Sequence, residues 1–567
     1  MGIILRNQCN FAVTNNKRYM QDFKTIFESR YTWAEGFMRN VHRYGRRLAM
    51  IDSETDESWT YRELNADSNR LCNALQRVGF KRGNVLMVQL LNCPEFAFSY
   101  IAAHKTGGVC CPVNYRLSPG ELAQNIEDAK PAVIICCCSK AEGVLEAVKI
   151  ANYQPLKIVV LGDNAIDGIV TYKEFIEGAS AEEPVFEGTP SIYDETTRLF
   201  TSGTTGRAKG VPITSINEVL SAHDIMIHFP MSHADVTMNT TPWFHRGGLH
   251  CAGPCPTFYA GACLVIMGKF DPLVTLKLVW KYKINFIVGV PTVLEALADE
   301  QERQGYDISA LKGIITMGSP LERAACIRYQ KVLTPNIYNG YGTTETLWNT
   351  FLRPMDLPNQ AGSAGASCVD DDVRVVKVYE DRRAEPDELV ATDSEEVGEV
   401  IISSPAKSPF IYADLPEETE RKYHAGFIYT NDLATWDENQ FITIVGRKDD
   451  MIISSGENIY PTEVEAVLNH HPAVKDCIVT SVPDKVRGQL VTAYVIIKED
   501  ENDEPMELTP EDLDEYCKNS PDIANFKRPR YYRFTKVIPF NATGKKLHVK
   551  IKEQADKDRK NGLLYRV

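Results

Sequence analysis

The chain has 567 residues, of which 44% are hydrophobic and 24% charged, and its 76 acidic against 62 basic side chains give a formal net charge of -14. That length is too great for one core, so two or more domains are expected, and the composition is that of a globular protein. The acidic balance argues against nucleic acid or an anionic membrane as the main partner, yet it leaves room for a local basic site that takes an anionic small molecule.

No apolar run is long enough to cross a bilayer. The segment Met1 to Arg30 is rich in Asn, Lys, Arg and Asp and lacks the apolar centre of a signal peptide, so a cytoplasmic protein is expected. The 15 cysteines include the runs Cys110-Cys111 and Cys136-Cys137-Cys138, set among apolar neighbours. They read as small buried core residues in a reducing compartment. Cys251 and Cys255 lack a second Cys or His pair at zinc spacing.

Ala49-Met50-Ile51 reads as a strand, and a helix is predicted from near Thr60, with Leu64, Leu71 and Leu75 on one face. Val85 to Leu91 is an apolar strand, Phe96 to Ala103 an apolar helix, and Gly108 to Val113 and Ala132 to Cys137 are further strands. Such alternation predicts α/β layers around largely buried parallel sheets. A second series follows, with Ile158 to Leu161, Met238 to Pro242, Cys263 to Met267, Phe286 to Val290 and Gly313 to Met317. Asp437-Glu438-Asn439 reads as a hairpin tip before the strand Phe441 to Val445. Near Gly446 to Met451 the pattern breaks. Pro461 can then open a helix that carries Val464, Val467 and Leu468, and two strands follow, Val474 to Val482 and Gln489 to Ile497. Two domains are predicted, 1–446 and 447–567.

Within the second series, between Ile158 to Leu161 and Met238 to Pro242, lies Thr201-Ser202-Gly203-Thr204-Thr205-Gly206-Arg207-Ala208-Lys209-Gly210. Three glycines free backbone N–H groups to face an anion, the hydroxyls add hydrogen bonds, and Lys209 supplies charge, as a polyphosphate requires. The spacing is not that of a Walker loop, which has four residues between its glycines and Ser or Thr after its Lys. A second glycine-bearing turn is Asn339-Gly340-Tyr341-Gly342-Thr343-Thr344-Glu345. Asp432 and Arg447 follow, and Asn541-Ala542-Thr543-Gly544-Lys545-Lys546 lies near the C-terminus.

In this order the four motifs resemble those of the adenylate-forming superfamily, which holds acyl-CoA synthetases, peptide-synthetase adenylation domains and luciferases. The resemblance implies a large N-terminal domain of layered α/β subdomains and a small α+β C-terminal domain that turns about a hinge at Asp449. It implies that the 201–209 loop holds the ATP phosphates and that Tyr341 stacks on adenine, beside the adenine-facing turn Gly318-Ser319-Pro320. Thr344 would contact the α-phosphate and Glu345 would hold Mg²⁺. Asp432 and Arg447 would grip the ribose, and Lys545, or Lys546 if the register slips, would steady charge during adenylation. The usual glycine before this Asp is replaced by Asn431, which also tolerates a left-handed backbone. Ser455-Gly456-Glu457 would line the pantetheine tunnel, with Arg487 and Lys527 toward the CoA phosphates.

The acyl pocket falls at Pro242 to Gly248, where Trp243 and Phe244, with Trp348, offer flat apolar walls and His245 closes or adjusts the space. No carboxylate lies between Thr240 and Pro256 to hold an ammonium, which favours a plain organic acid over an amino acid. A cyclic, aromatic or medium-chain acid is expected, joined to CoA by an AMP-forming ligase with ATP and Mg²⁺. A module that passes its acyl group to a carrier protein and a non-catalytic nucleotide-binding relative are the alternatives. Ser404-Pro405-Ala406-Lys407 and Lys105-Thr106-Gly107 match penicillin-site triplets in reversed order and read as chance.

Overall fold

A computed structural model describes residues 20–163, 166–201, 207–379, 381–500, 504–540 and 546–567. Two parallel sheets carry most of the first 370 residues. The first has seven strands, ordered Val170–Thr171, Lys157–Leu161, Val133–Cys137, Val85–Gln89, Val109–Pro112, Glu195–Phe200 and Gly210–Thr214. Only the last pair is antiparallel, and it is the hairpin that flanks the 201–209 loop. The second has nine strands, and its parallel centre runs Ile337–Tyr341, Gly313–Met317, Phe286–Gly289, Val236–Asn239, Cys263–Ile266 and Leu48–Asp52.

Two strands sit in the other sheet from the one their chain order suggests. Leu48–Asp52 pairs in parallel with Cys263–Ile266, so the first strand of the chain belongs to the second sheet. Lys157–Leu161, which opens the second series in sequence, pairs with Val133–Cys137 in the first. An apolar run specifies burial but not which neighbour covers it; Met50 and Val159 are each fully buried in either setting.

The helices start where local chemistry directs. Thr60 and Glu63 form a reciprocal cap at the start of helix Tyr61–Arg77 and satisfy two otherwise unpaired N–H groups. Leu64, Leu71 and Leu75 on its inner face are fully buried, each contributing about 1.5–3 kcal/mol. Helix Pro94–Thr106 opens on proline, ends on Gly107 in the left-handed region, and is buried nearly all round. Cys110, Cys111 and Cys136 are buried, as expected, but Cys137 is half-buried and Cys138 is exposed, because the strand ends there and a short turn carries the chain to the surface.

An antiparallel sheet follows. In it Gly398–Ser403 pairs with Phe427–Trp436, which turns at Asp437 and pairs with Ile442–Arg447. The Asp437 carboxylate accepts from the Asn439 and Phe441 N–H groups and so fixes the hairpin. A separate six-stranded sheet begins at Ile452–Ser454 and centres on the long hairpin Val474–Asp484 with Gly488–Ile497. Helix Pro461–Asn469 packs Val464, Val467 and Leu468 into the core of that sheet. Among the described residues no helix is long and apolar enough to cross a membrane.

Candidate active site

A cavity of about 770 Å³ opens where the C-terminal ends of the second parallel sheet face the antiparallel sheet, and its lining runs from Thr201 to Lys448. In α/β proteins this edge collects ligands because helix and loop N–H groups converge there. Strand Ile337–Tyr341 delivers Gly342, Thr343, Thr344 and Glu345 to the lining. Gly342 is required sterically, since a Cβ there would lie 1.8 Å from the Leu347 carbonyl oxygen. Glu345 is buried, and its carboxylate accepts a 2.5 Å hydrogen bond from the Tyr412 hydroxyl. Gly318 reaches the lining from the end of Gly313–Met317 with φ +86°, whereas Ser319 and Pro320 are not part of the wall. Asn339 is buried behind it, donating to the Ser363 carbonyl at 3.2 Å.

The mouth of the 201–209 loop is closed by its own backbone. Thr201 N–H donates to the Lys209 carbonyl at 2.9 Å, and Lys209 N–H donates to the Thr201 hydroxyl at 3.2 Å. Ser202, Gly203, Thr204, Thr205 and Gly206 lie outside the described residues, as does Lys545. The Lys209 ammonium is 3.3 Å from Glu418 and rests over the Tyr412 ring. Tyr412 therefore bridges the loop cation and Glu345.

Asp432 and Arg447 are direct cross-strand partners, which accounts for their pairing at a separation of fifteen positions. Arg447 Nη1 lies 3.1 Å from Asp432 Oδ1, and the Tyr341 hydroxyl donates to Asp432 Oδ2 at 2.8 Å. Tyr341 is thus tied to this carboxylate by its hydroxyl. Asn431 has φ 65°, the left-handed backbone that a glycine would otherwise supply. Asp449 sits in a short turn, with its carboxylate 3.3 Å from Asn431 Nδ2 and 3.9 Å from Arg447 Nη2.

Ser455 and Gly456 form the two-residue tip of a hairpin, with φ 57° and 85°, a turn whose twist suits the strands it joins. Ser455 N–H donates to the Arg487 carbonyl, so Arg487 stands beside Ser455, Gly456 and Glu457. Lys527 is paired with Glu463 at 2.6 Å. Lys546 is held within the same unit by Asp476 at 2.8 Å and by the Cys477 carbonyl. None of these residues lines the cavity.

The acyl end differs from the sequence expectation. Trp243 is buried edge-on against Phe96, and Phe244 packs on Tyr115, so neither forms a cavity wall. Trp348 does line the space, with Leu347, Met317 and Val290, and its indole N–H donates to Asp224. His245 lines it too, and burial pushes its imidazole down to about 4, so the ring is neutral at physiological pH. Next to it stands a residue that the sequence reading passed over, Arg246, which is 3% exposed and also lines the cavity. Its two terminal nitrogens donate to the carbonyls of Thr344 at 2.7 Å and Lys407 at 2.5 Å. An arginine between Trp-Phe-His and Gly-Gly-Leu is itself a signal, because a charge in such a stretch is buried for a reason.

Lys407, set aside as a chance match, is fully buried between Asp371 at 2.6 Å and Asp224 at 3.2 Å and donates to the Trp348 carbonyl. Lys105 of the other triplet is paired with Glu183 at 2.7 Å. Among the described residues two buried groups bring metal-ligand atoms together, Glu218–His250–Cys255 and Asp224–His228–Cys368. In both, the carboxylate already has protein donors: Glu218 accepts from His250, Tyr100 and Thr197, and Asp224 from Trp348.

The residues fit a nucleotide: a clasp for vicinal hydroxyls at Asp432 and Arg447, a carboxylate for a hard cation at Glu345, and a glycine-bearing wall that lets a ligand approach the backbone. The profile of the AMP-binding enzyme family matches residues 37–410, and that of the AMP-binding enzyme C-terminal domain matches residues 463–545. A long-chain-fatty-acid–CoA ligase of Bacillus subtilis is 29% identical over 519 residues, covering 87% of this chain and 90% of its own. 4-Coumarate–CoA ligase 3 of Oryza sativa is also 29% identical, covering 88% of each chain. The crystal structure of ATP-bound MatB from Rhodopseudomonas palustris superposes with a TM-score of 0.80 at 25% identity, covering 92% of this chain and 98% of its own. The chain belongs to the family of AMP-binding enzymes and is an acid–thiol ligase of the adenylate-forming superfamily.

Proposed function

We propose that the protein is an ATP-dependent, AMP-forming carboxylate–CoA ligase that makes an acyl-CoA through an acyl-adenylate. The observation that carries this reading is one shared cavity. The ribose clasp at Asp432, the phosphate-side residues Thr344, Glu345 and Lys209, and an acyl niche walled by Trp348 and Met317 all open into it. A carboxylate in the niche attacks the α-phosphorus of ATP, and pyrophosphate leaves. Asp432 and Arg447 hold the ribose, Tyr341 aligns Asp432, and Tyr412 orients the Glu345 carboxylate. When bound at Glu345, Mg²⁺ draws charge off the phosphates. The CoA thiol then attacks the acyl carbonyl, and AMP departs. A cytoplasmic setting supplies both ATP and CoA.

The two half-reactions need different groups in one space, Lys545 in the first and the pantetheine arm past Ser455, Gly456 and Glu457 in the second. We assign the domains to 1–446 and 447–567, with rotation about Asp449 between the steps. Support comes from the change of sheet between Arg447 and Ile452 and from the match of a C-terminal domain profile beyond it. The acid is compact, cyclic or aromatic, because ATP shares the same 770 Å³ with it and because Trp348 offers a flat wall. Medium-chain acids come second.

The test is release of pyrophosphate and AMP from Mg-ATP across a panel of acids, with and without CoA. AMP and acyl-CoA formed only with CoA and one class of acid is the expected result. Pyrophosphate release without any transfer to CoA would overturn the ligase reading and point to a carrier-dependent module.

A further inference from the structure

Arg246 is a buried cation with no ion-pair partner, the Glu218 and Glu345 carboxylates acting on it only through space. Among the described residues no carboxylate lies within ion-pair distance of it, and its two hydrogen-bond partners, the Thr344 and Lys407 carbonyls, are neutral. Glu345, on the neighbouring loop, is engaged by Tyr412. The third nitrogen of the guanidinium, Nε, is buried and its N–H has no partner. A guanidinium removed from water normally keeps a counter-charge, since isolated burial costs several kcal/mol.

Arg246 Nε is not the one unpaired atom in this stretch. Thr241 Oγ1 and His245 Nε2 are also buried without partners, and both residues line the cavity beside Arg246. Buried polar groups are rarely left unpaired, and three on residues 241, 245 and 246 form a local cluster. If Arg246 only pinned two carbonyls together, the orphan Nε–H and its two unpaired neighbours would have no explanation. All three atoms are occluded from solvent on residues that line the cavity, so a small shift of their side chains would bring them to an oxygen acceptor there, and Arg246 would take an anionic one. Burial also draws the guanidinium down to about 10, which an incoming anion would reverse.

We propose that the acid activated here carries a second carboxylate on its acyl portion, and that Arg246, with Thr241 and His245, receives that group. This deepens the ligase reading and rests on it. It replaces the expectation of a wholly apolar acid, which relied on Trp243 and Phe244 as walls. Trp348 and Met317 keep their place as the flat sides against which a ring or short chain would lie.

The experiment compares acids matched except for the second group: benzoate with isophthalate and terephthalate, cyclohexanecarboxylate with cyclohexanedicarboxylate, and pentanoate with glutarate. Pyrophosphate release gives kcat/KM for the wild-type enzyme, Arg246→Met and Arg246→Lys. The wild type should prefer the diacid in at least one pair by tenfold or more. In Arg246→Met the diacid should lose about 10- to 150-fold, the range for one hydrogen-bonded charge, and the monoacid much less, with Arg246→Lys in between. ATP binding by calorimetry checks that each variant is folded. If Arg246→Met fails that check, Thr241→Val carries the test, with a selective loss on the diacid expected. Preference for the monoacid in every pair, or an equal loss on both members of each pair in a variant that binds ATP, overturns the proposal. A diacid preference in pyrophosphate release with no CoA product would sustain the role of Arg246 and sink the ligase reading.

Discussion

Replacing Asp432 by Asn should weaken ATP binding through the ribose alone. The carboxylate is held from two sides, by Arg447 at 3.1 Å on Oδ1 and by the Tyr341 hydroxyl at 2.8 Å on Oδ2, and its side chain is 12% exposed. Those contacts leave lone pairs for two vicinal hydroxyls. Asparagine keeps the shape but offers one acceptor instead of two and turns an N–H₂ toward a donor. Losing one charge-assisted hydrogen bond costs about 1.5–3 kcal/mol, so KM for ATP should rise roughly 10- to 150-fold. Tyr341→Phe removes only the aligning hydroxyl, and its effect should be smaller, roughly three- to tenfold. The assay is initial-rate pyrophosphate release with ATP and with 2′-deoxy-ATP. Wild-type enzyme should discriminate against the deoxy nucleotide, and Asp432→Asn should lose most of that discrimination, which isolates the contact as a double-substitution cycle does. An unchanged KM, or a deoxy penalty as large in Asp432→Asn as in the wild type, would refute the assignment of Asp432 to the ribose.

Lys407→Met leaves Asp371 and Asp224 buried without their cation, a change worth about 3–5 kcal/mol, so thermal unfolding should begin several degrees lower; an unaltered Tm would remove Lys407 from the scaffold. His245 has a folded pKa of about 4 against an ordinary 6.5, so its contribution to stability is complete above pH 6.5 and is lost as pH falls through 4. Accordingly His245→Gln should flatten the acid side of the stability–pH curve in that window, and a curve of unchanged shape would count against a neutral buried imidazole. Lys545→Ala should lose adenylation yet still convert supplied acyl-adenylate and CoA to thioester, while Asp449→Pro should do the reverse. Equal loss of both half-reactions in either variant would end the division of labour.

Much of the fold was legible because its signals are local. The cap at Thr60, the apolar face Leu64–Leu71–Leu75, the hairpin tip at Asp437 and the proline opening at Pro461 each need only a few neighbouring residues. The left-handed Asn431 could be read in the same way, from the side-chain chemistry of one position. What escaped depends on which distant element covers a residue. Trp243 and Phe244 differ in no local respect from cavity walls, but Phe96 and Tyr115, far earlier in the chain, take them up. Tyr412 meets Glu345 across 67 positions, and nothing near Tyr412 marks it. Leu48–Asp52 is an apolar run that fits a buried parallel position, and nothing local to it says which sheet supplies one. Arg246 was different in kind. It is a charge within an apolar run, a signal as local as the others.

The proposed turning point at Asp449 would be inexpensive on the geometry around it. Arg447, Lys448 and Asp449 are consecutive, and each is attached to the antiparallel sheet: Arg447 to Asp432, Lys448 to Glu399 at 3.3 Å, and Asp449 to Asn431. A rotation that starts after Lys448 keeps the first two links and so leaves the ribose clasp intact. At the turning point itself it releases the polar contacts of Asp449, whose side chain is 48% exposed, and exposed pairs of this kind are worth about 0–1 kcal/mol. It must also part Thr462 from the Val445 carbonyl and slide helix Pro461–Asn469 off strand Ile442–Arg447. Rotation one strand earlier would instead tear the cross-strand register that holds Asp432 against Arg447. On the proposed hinge, the cheapest point to turn is therefore the first residue past the Asp432–Arg447 pair, and a nucleotide held there would stay in place while the C-terminal unit changed face.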